Sequence, residues 1–208
     1  MPEILIVVAT PLEALRLPTL PHSRIIVSGI GAVNAALSTQ AALLEQRADL
    51  VLSVGIAGAY PNSGLELTNV IVSSALVYAG FGVQNGSRVE ALGFPIAPDI
   101  FQVLPVWNKA LDYARVARLE YGVITTLETV TTNNARAKAI EQQFSARAEA
   151  MEGAGVAQAA LRFDLPCLEL RSISNLVGDR KNWQLQAALG TLAQTLETTW
   201  DELLNLLK

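Results

Sequence analysis

Chemistry that runs on thiols or imidazoles has little to work with in this chain, which holds one cysteine, Cys167, and one histidine, His22, in 208 residues. Two such residues cannot make a zinc cluster, and His22, beside Pro21 in a loop-like stretch, makes a His-based triad improbable. A single cysteine also excludes an intrachain disulfide, which fits a cytoplasmic protein, and mid-strand between Pro166 and Leu168 it reads as a small buried hydrophobe. Charge is sparse: 16% of residues, with a net −4 and Lys and Arg scattered, a balance that argues against nucleic-acid binding. No apolar run reaches the ~18 residues of a membrane span. The start, MPEILIVVATPLEAL, lacks the basic region of a signal peptide, so the Asn85-Gly86-Ser87 sequon carries no weight. There are no repeats, linkers or low-complexity tracts, and residues 1–208 read as one domain. If the protein is an enzyme, carboxylates, amides and hydroxyls must do the work without metal or cofactor. What the chain has in quantity is apolar surface: 51% of residues are hydrophobic, more than a monomer of this size needs, so burial between subunits of a homo-oligomer is expected.

Short β-rich runs alternate with helical spacing. Residues 3–9 read as a central parallel strand that ends at Thr10-Pro11-Leu12-Glu13, with Pro11 suited to a first helical turn. Glu13 thus sits at a strand-to-helix junction, where a carboxylate favoured by the helix dipole is the plain structural account. A strand at 24–28 runs into Gly29-Ile30-Gly31 and a helix over 32–46. A dinucleotide fingerprint fails there because Asn34 replaces its third glycine, and Asp49 begins a strand instead of ending one. A third strand covers 49–55, and 64–78 reads as one or two more. Residues 79–98 are loop-like; Phe81 among them either flanks a flat ligand ring or is an ordinary buried loop aromatic. The spacing predicts a helix over 99–114 despite Pro105, strand character over 119–130, and a helix over 133–144 with Asn133 as its cap. Residues 183–207 form a long C-terminal helix. The pattern is α/β, with a mostly parallel sheet whose strand ends face a shared crevice.

The most informative stretch is AMEGAGVAQAALRFDLPCLELRSISNLVGDR, residues 150–180. It opens with Glu152 among small residues that permit close approach, continues as a helix over 153–163, and breaks at Pro166. Residues 167–173 then form a buried strand bearing one cation, Arg171, and end in Ser174-Asn175. Polar residues at the end of an apolar strand are either a ligand site or simply solvated.

Met151-Glu152-Gly153-Ala154 followed by Arg171-Ser172-Ile173-Ser174-Asn175 resembles the signature of the nucleoside phosphorylase/nucleosidase superfamily, and the likeness runs over nearly the whole chain. The methylthioadenosine/adenosylhomocysteine nucleosidases carry MExxA and RxISD. Asn175, the continuation Val177-Gly178-Asp179-Arg180 and Trp183 are more similar to the futalosine hydrolases, which cleave hypoxanthine from futalosine on the way to menaquinone. The resemblance implies a three-layer α/β/α sandwich around a mixed, partly barrel-like sheet. It implies Glu13 as the base that activates water, Glu152 as a carboxylate on the ribose, and Asn175 on the purine, supported by Ser174. Met151 would pack on the sugar, and Ala57-Gly58 would lie along the nucleoside. Glu128 and Thr129 fall where the family lines the base pocket, with Val130 next to them, although an aromatic is more usual there. Glu152 has a second account, a buried structural acid paired with Arg171.

Asn175 departs from the aspartic acid of the adenine-specific enzymes. An amide cannot donate a proton to N7, but it can accept from N7–H and donate to O6, which favours hypoxanthine. The origin of the leaving-group proton stays open, an ordered water being the simplest candidate. Arg180, Lys181, Arg88 and Arg136 are equal candidates for a substrate carboxylate. A phosphorylase of the same fold would need cations where ATPLEAL stands, and a non-catalytic binding protein would not need Glu13, Glu152 and Arg171 together.

Overall fold

The first apolar run becomes β1 (Ile4–Val8), every residue of it buried. Ile4, Ile6 and Val8 enter one core while Leu5 and Val7 enter another. With both faces covered, no polar half of an alternating pattern is left. The computed structural model describes residues 2–86, 88–90, 92, 103–179 and 182–208. After β1 come α1 (Pro11–Arg16), β2 (Ser23–Val27), α2 (Ala32–Glu45), β3 (Leu50–Ala59) and β4 (Val70–Tyr78). The small hairpin of β5 (Val83–Asn85) and β6 (Arg88–Glu90) follows, then β7 (Val103–Leu104), α3 (Ala110–Val116) and β8 (Glu120–Thr126). The chain ends with α4 (Asn134–Phe144), β9 (Ala146–Ala150), α5 (Gly153–Arg162), β10 (Cys167–Leu176) and α6 (Leu185–Leu207).

The main sheet runs β10-β4-β8-β9-β3-β1-β2, and β10 also pairs with β3. Five strands therefore close into a barrel, from which β1 and β2 extend as an open sheet. The closure depends on β3. Its residues Leu50–Ser53 pair with β1, while Gly58 and Ala59 pair with β9, and β10 follows it from Val51 to Ala59. Ala35, Ala42 and Leu43 of α2 and Val156, Ala157 and Ala160 of α5 fill one core. Leu192, Leu196, Trp200 and Leu203 of α6, with Tyr113 of α3, fill the other. The result is a three-layer α/β/α sandwich around a mixed, partly barrel-like sheet. No helix among the described residues is long and apolar enough to cross a membrane.

The structure corrects several expectations. The sheet is mostly parallel, as expected, and mixed at the barrel: β3–β10, β4–β8 and β8–β9 are parallel, while β4 runs antiparallel to β10 and to β7, and β9 antiparallel to β3. β3 does not stop at Gly55 but continues through Ala57-Gly58, because β9 and β10 supply partners there. Residues 64–69 precede the strand, with Gly64 at φ +73 and Thr68 at φ 68. Of the helix expected over 99–114, residues 99–102 lie outside the described residues. The remainder starts only at Ala110, since Val103-Leu104 pairs with β4 and the Trp107 N–H donates to the Cys167 carbonyl at 2.7 Å. Residues 146–150 form a further strand, β9. Asn133 does cap α4, accepting from the N–H groups of Ala135 and Arg136.

α2 and α5 cross closely because Gly155 has no side chain. A Cβ there would overlap the carbonyl oxygen of Ala32 and lie 2.8 Å from its carbon. Gly190 of α6, by contrast, has nothing within 4 Å. Gly155→Ala should therefore lower stability by about 1–3 kcal/mol through overpacking, whereas Gly190→Ala should raise it by about 0.5–1 kcal/mol through helix propensity. Urea midpoints of the two variants check this, and a neutral Gly155→Ala would contradict the close crossing.

Candidate active site

Arg171 of β10 is 2% exposed, and its guanidinium is held on several sides. Nε donates to Glu169 Oε1 at 2.7 Å, Nη2 donates to Ser53 Oγ at 3.0 Å, and Nη2 lies 3.3 Å from Glu152 Oε2. Room for it comes from Gly55 of β3: a Cβ there would overlap Arg171 Nη1 and lie 2.7 Å from Glu13 Oε1. Burial pulls the Arg171 pKa down, but Glu169, Glu152 and Glu13 together carry it above its ordinary value. The cation is thus locked in its charged form. Glu169 is fully buried and pushed up, chiefly by burial, and its Oε2 has no hydrogen-bond partner among the described residues.

The two other carboxylates are set by chain turns. Thr10 caps α1 in a capping box, so Glu13 Oε2 accepts from the Thr10 N–H and hydroxyl, both at 2.9 Å. This fixes the first turn and leaves Glu13 Oε1 against Gly55. Glu152 stands at the start of α5, where its Oε1 accepts from the Gly31 N–H at 3.2 Å. The glycine turn between β2 and α2 thus contributes a backbone donor to the site. Both accounts of Glu152 meet in one geometry: it is paired with Arg171 and it faces open space.

Asn175 is aimed by a bulge. Ile173 pairs with Ala57 and Asn175 with Gly58, so Ser174 is the extra residue, and such a bulge turns the next side chain. The Ser174 hydroxyl donates to Asn175 Oδ1 at 2.9 Å, and Asn175 Nδ2 donates to the Leu176 carbonyl at 3.1 Å. A Cβ on Gly58 would lie 3.0 Å from that Nδ2.

Between these groups lies a cavity of about 450 Å³ lined by Glu13, Glu152, Arg171, Ser174 and Asn175, with apolar walls that include Leu12, Ile30, Ile56, Leu127 and Leu185. Ala57, Gly58, Thr129, Val130, Met151 and Trp183 also line it. Phe81 does not fall among the lining residues. A turn beyond β4, with the Phe81 N–H donating to the Tyr78 carbonyl at 3.1 Å, folds its ring onto Tyr78 with centroids 5.8 Å apart. Sequence reasoning missed Thr10, Ala150 and above all Glu149, a third carboxylate in the lining. The signal was a charged residue in an alanine-rich run too short to read as a strand. Arg88 and Arg136 border a separate hollow of about 360 Å³; Arg180 and Lys181 lie outside the described residues.

A mostly apolar cavity with Glu13, Glu152 and the buried Arg171 cation at one end and the Asn175 amide at the other suits a small molecule that is partly flat and partly hydroxylated. The family model of the phosphorylase superfamily matches residues 22–204. The futalosine hydrolase of Streptomyces coelicolor is 35% identical over 183 residues, 83% of this chain and 76% of that protein. The aminodeoxyfutalosine nucleosidase of Helicobacter pylori is 30% identical over 184 residues, 85% of this chain and 78% of that protein. Among solved structures, a Helicobacter pylori MTAN mutant with 5′-methylthioadenosine in its active site superposes with a TM-score of 0.80 at 26% identity, covering 97% of this chain and 99% of that one.

Replacing Arg171 by Met should cost about 3–5 kcal/mol, the scale for stranding buried charges without their partner. The loss should depend on pH. Glu169 is already raised by burial, and without the cation it rises further. A raised carboxyl takes up protons on folding, so the variant gains stability below the folded pKa of Glu169 and loses it as pH climbs through that value. Denaturation at pH 5 and pH 8 should therefore show the larger deficit at pH 8; an equal deficit at both would contradict the ion cluster as described.

Proposed function

This chain belongs to the phosphorylase superfamily, and from that membership we propose that it is a hydrolytic nucleosidase that cleaves the N-glycosidic bond of futalosine and releases hypoxanthine, a step of menaquinone biosynthesis. The observation that carries the reading is Asn175 in the lining of a cavity that also holds Glu13 and Glu152. An amide has two N–H donors and two carbonyl lone pairs. One N–H is engaged by Leu176 and one lone pair by Ser174, which leaves one donor and one acceptor for a ligand in the cavity that Asn175 lines. O6 and N7–H of a departing 6-oxopurine are the complementary pair.

Cleavage builds positive charge on the ribose as the C1′–N9 bond lengthens, and water adds at C1′. Glu13 takes the proton of that water, its Oε2 anchored by Thr10 and its Oε1 directed toward Gly55. Glu152 accepts from ribose hydroxyls and faces the developing charge, and a fixed carboxylate there stabilises the transition state more than the ground state. Arg171 orients Glu152 and offsets its charge. Met151 packs against the sugar, while Thr129, Val130, Ala57 and Gly58 wall the base. Trp183 closes the side toward α6. Hydrolysis is favoured over phosphorolysis because a phosphate would meet Glu13 and Glu152, and the cation in the described lining is already paired. Water is the nucleophile that two carboxylates tolerate.

The protein also acts as a homo-oligomer in this reading. Ile30 lines the cavity and is 55% exposed, and Val33, Leu37 and Leu44 continue an exposed apolar stripe along α2. A second subunit on that stripe covers the cavity mouth; sedimentation that returned only monomers would contradict this.

Asn175→Asp tests the substrate assignment. A 6-aminopurine presents a donor where Asn175 presents one, and the mismatch is worth about 1–3 kcal/mol, a preference of about fivefold or more for the 6-oxopurine. The variant should lose kcat/KM on futalosine and shift its relative preference toward aminodeoxyfutalosine. A wild type that prefers the adenine nucleoside, or a variant whose preference stays put, would overturn the role of residue 175.

A further inference from the structure

An amide cannot supply the proton that a departing purine needs, and the cavity contains an acid placed to do so. Glu149 of β9 is 8% exposed and lines the cavity. It pairs with Gly58 across β9 and β3, and Asn175 pairs with the same Gly58 from β10. The row Glu149–Gly58–Asn175 therefore crosses three strands, its ends about 10 Å apart at a strand spacing of about 4.8 Å. Its middle residue has no side chain. We propose that Glu149 is the acid that protonates the departing base, across the slot that Gly58 leaves open.

The hydrogen bonds around Glu149 fit a carboxyl that gives up and regains a proton. Oε1 accepts from the Thr131 N–H at 3.0 Å. Oε2 lies 3.1 Å from the Tyr60 hydroxyl, which lies 2.9 Å from Thr125 Oγ1, which in turn lies 3.2 Å from the Ala148 carbonyl. The two hydroxyls hold two protons for three contacts, and the Ala148 carbonyl can only accept. With Glu149 ionised, one contact has no proton. With Glu149 protonated, Thr125 donates to Ala148, Tyr60 to Thr125 and Glu149 to Tyr60, and the chain is complete. After transfer, Tyr60 turns its hydroxyl to Oε2 and the Thr131 N–H holds Oε1, so the carboxylate is also accommodated.

Burial pushes Glu149 above the usual carboxylate range, against the opposing pull of the Thr131 N–H, Tyr60 and, from α4, Arg136. Tyr60 is itself raised well above its ordinary value, mainly by burial, and remains a neutral hydroxyl. The other charged groups of the lining, Glu13, Glu152 and Arg171, gather at the Gly55 end of the cavity. In the step itself the C1′–N9 bond breaks and its electron pair stays with the purine. The Glu149 carboxyl proton passes to N7, directly or across one water, and Asn175 Oδ1 holds the N7–H so formed. The water that adds at C1′ loses its proton to Glu13, and solvent returns a proton from Glu13 to Glu149. This role rests on the nucleosidase reading above.

The test compares Glu149→Gln with wild type on futalosine and on its N7-methylated derivative, whose base is already cationic and leaves without a proton. Glutamine keeps an acceptor for Thr131 and a donor for Tyr60. On futalosine, kcat/KM should fall ~100-fold or more, while on the methylated substrate it should stay within about threefold of wild type, since general acid catalysis contributes only where a proton is needed. Wild-type kcat/KM on futalosine should also decline as pH rises through the Glu149 pKa, and the variant should lack that limb. Equal losses on both substrates, or no loss on either, would overturn the acid role. If the wild type released no base from any nucleoside, the functional reading itself would fall; if it hydrolysed futalosine and the variant did so equally well, only the role of Glu149 would.

Discussion

The buried charge of Arg171 is the constraint around which the rest is arranged. Removing a guanidinium from water costs several kcal/mol even after relaxation, so the fold must return that cost locally. It does so with Glu169 two residues earlier on the same strand, Glu152 at the start of α5, Ser53 on β3, and Glu13 across the glycine gap. Each partner belongs to a different piece of the chain. The end of the cavity that holds Glu13, Glu152 and Arg171 is therefore assembled only when α1, β3, α5 and β10 have all docked.

β3 gives the cavity its length. Gly55 makes room for Arg171 and Glu13 at one end, and Gly58 opens the slot beside Asn175 at the other. Three residues along an extended strand span about 10 Å, close to the reach of a ribose with its purine. A side chain at either glycine would fill the space that a ligand needs. The acids at the two ends have different environments: Glu13 is anchored by a helix cap, while Glu149 is buried against the Thr131 N–H and the Tyr60 hydroxyl. In the reaction proposed above, these different surroundings are what let one carboxyl act as base and the other as acid.

How much of this could be read from the sequence depended on how local the signal was. β1 was legible because a strand buried on both faces leaves a continuous apolar run, and the cap of α4 because Asn133 acts within three residues. Glu13, Glu152, Arg171 and Asn175 were found through a resemblance in short motifs, and they converge on one cavity. β9 was missed because ARAEA has helix-forming alanines and pairs only with distant strands. The same blindness hid Glu149. Phe81 was misplaced because nothing local shows which way a ring in a glycine-rich turn will fold.

The central claim, that water and not phosphate attacks a 6-oxopurine nucleoside in this cavity, is tested most directly by turnover of futalosine in ¹⁸O-enriched water with and without phosphate. The account predicts that hypoxanthine forms at the same rate in both and that the label enters the C1′ hydroxyl of the released sugar. A phosphorylated sugar, a strict requirement for phosphate, or no release of hypoxanthine would contradict it.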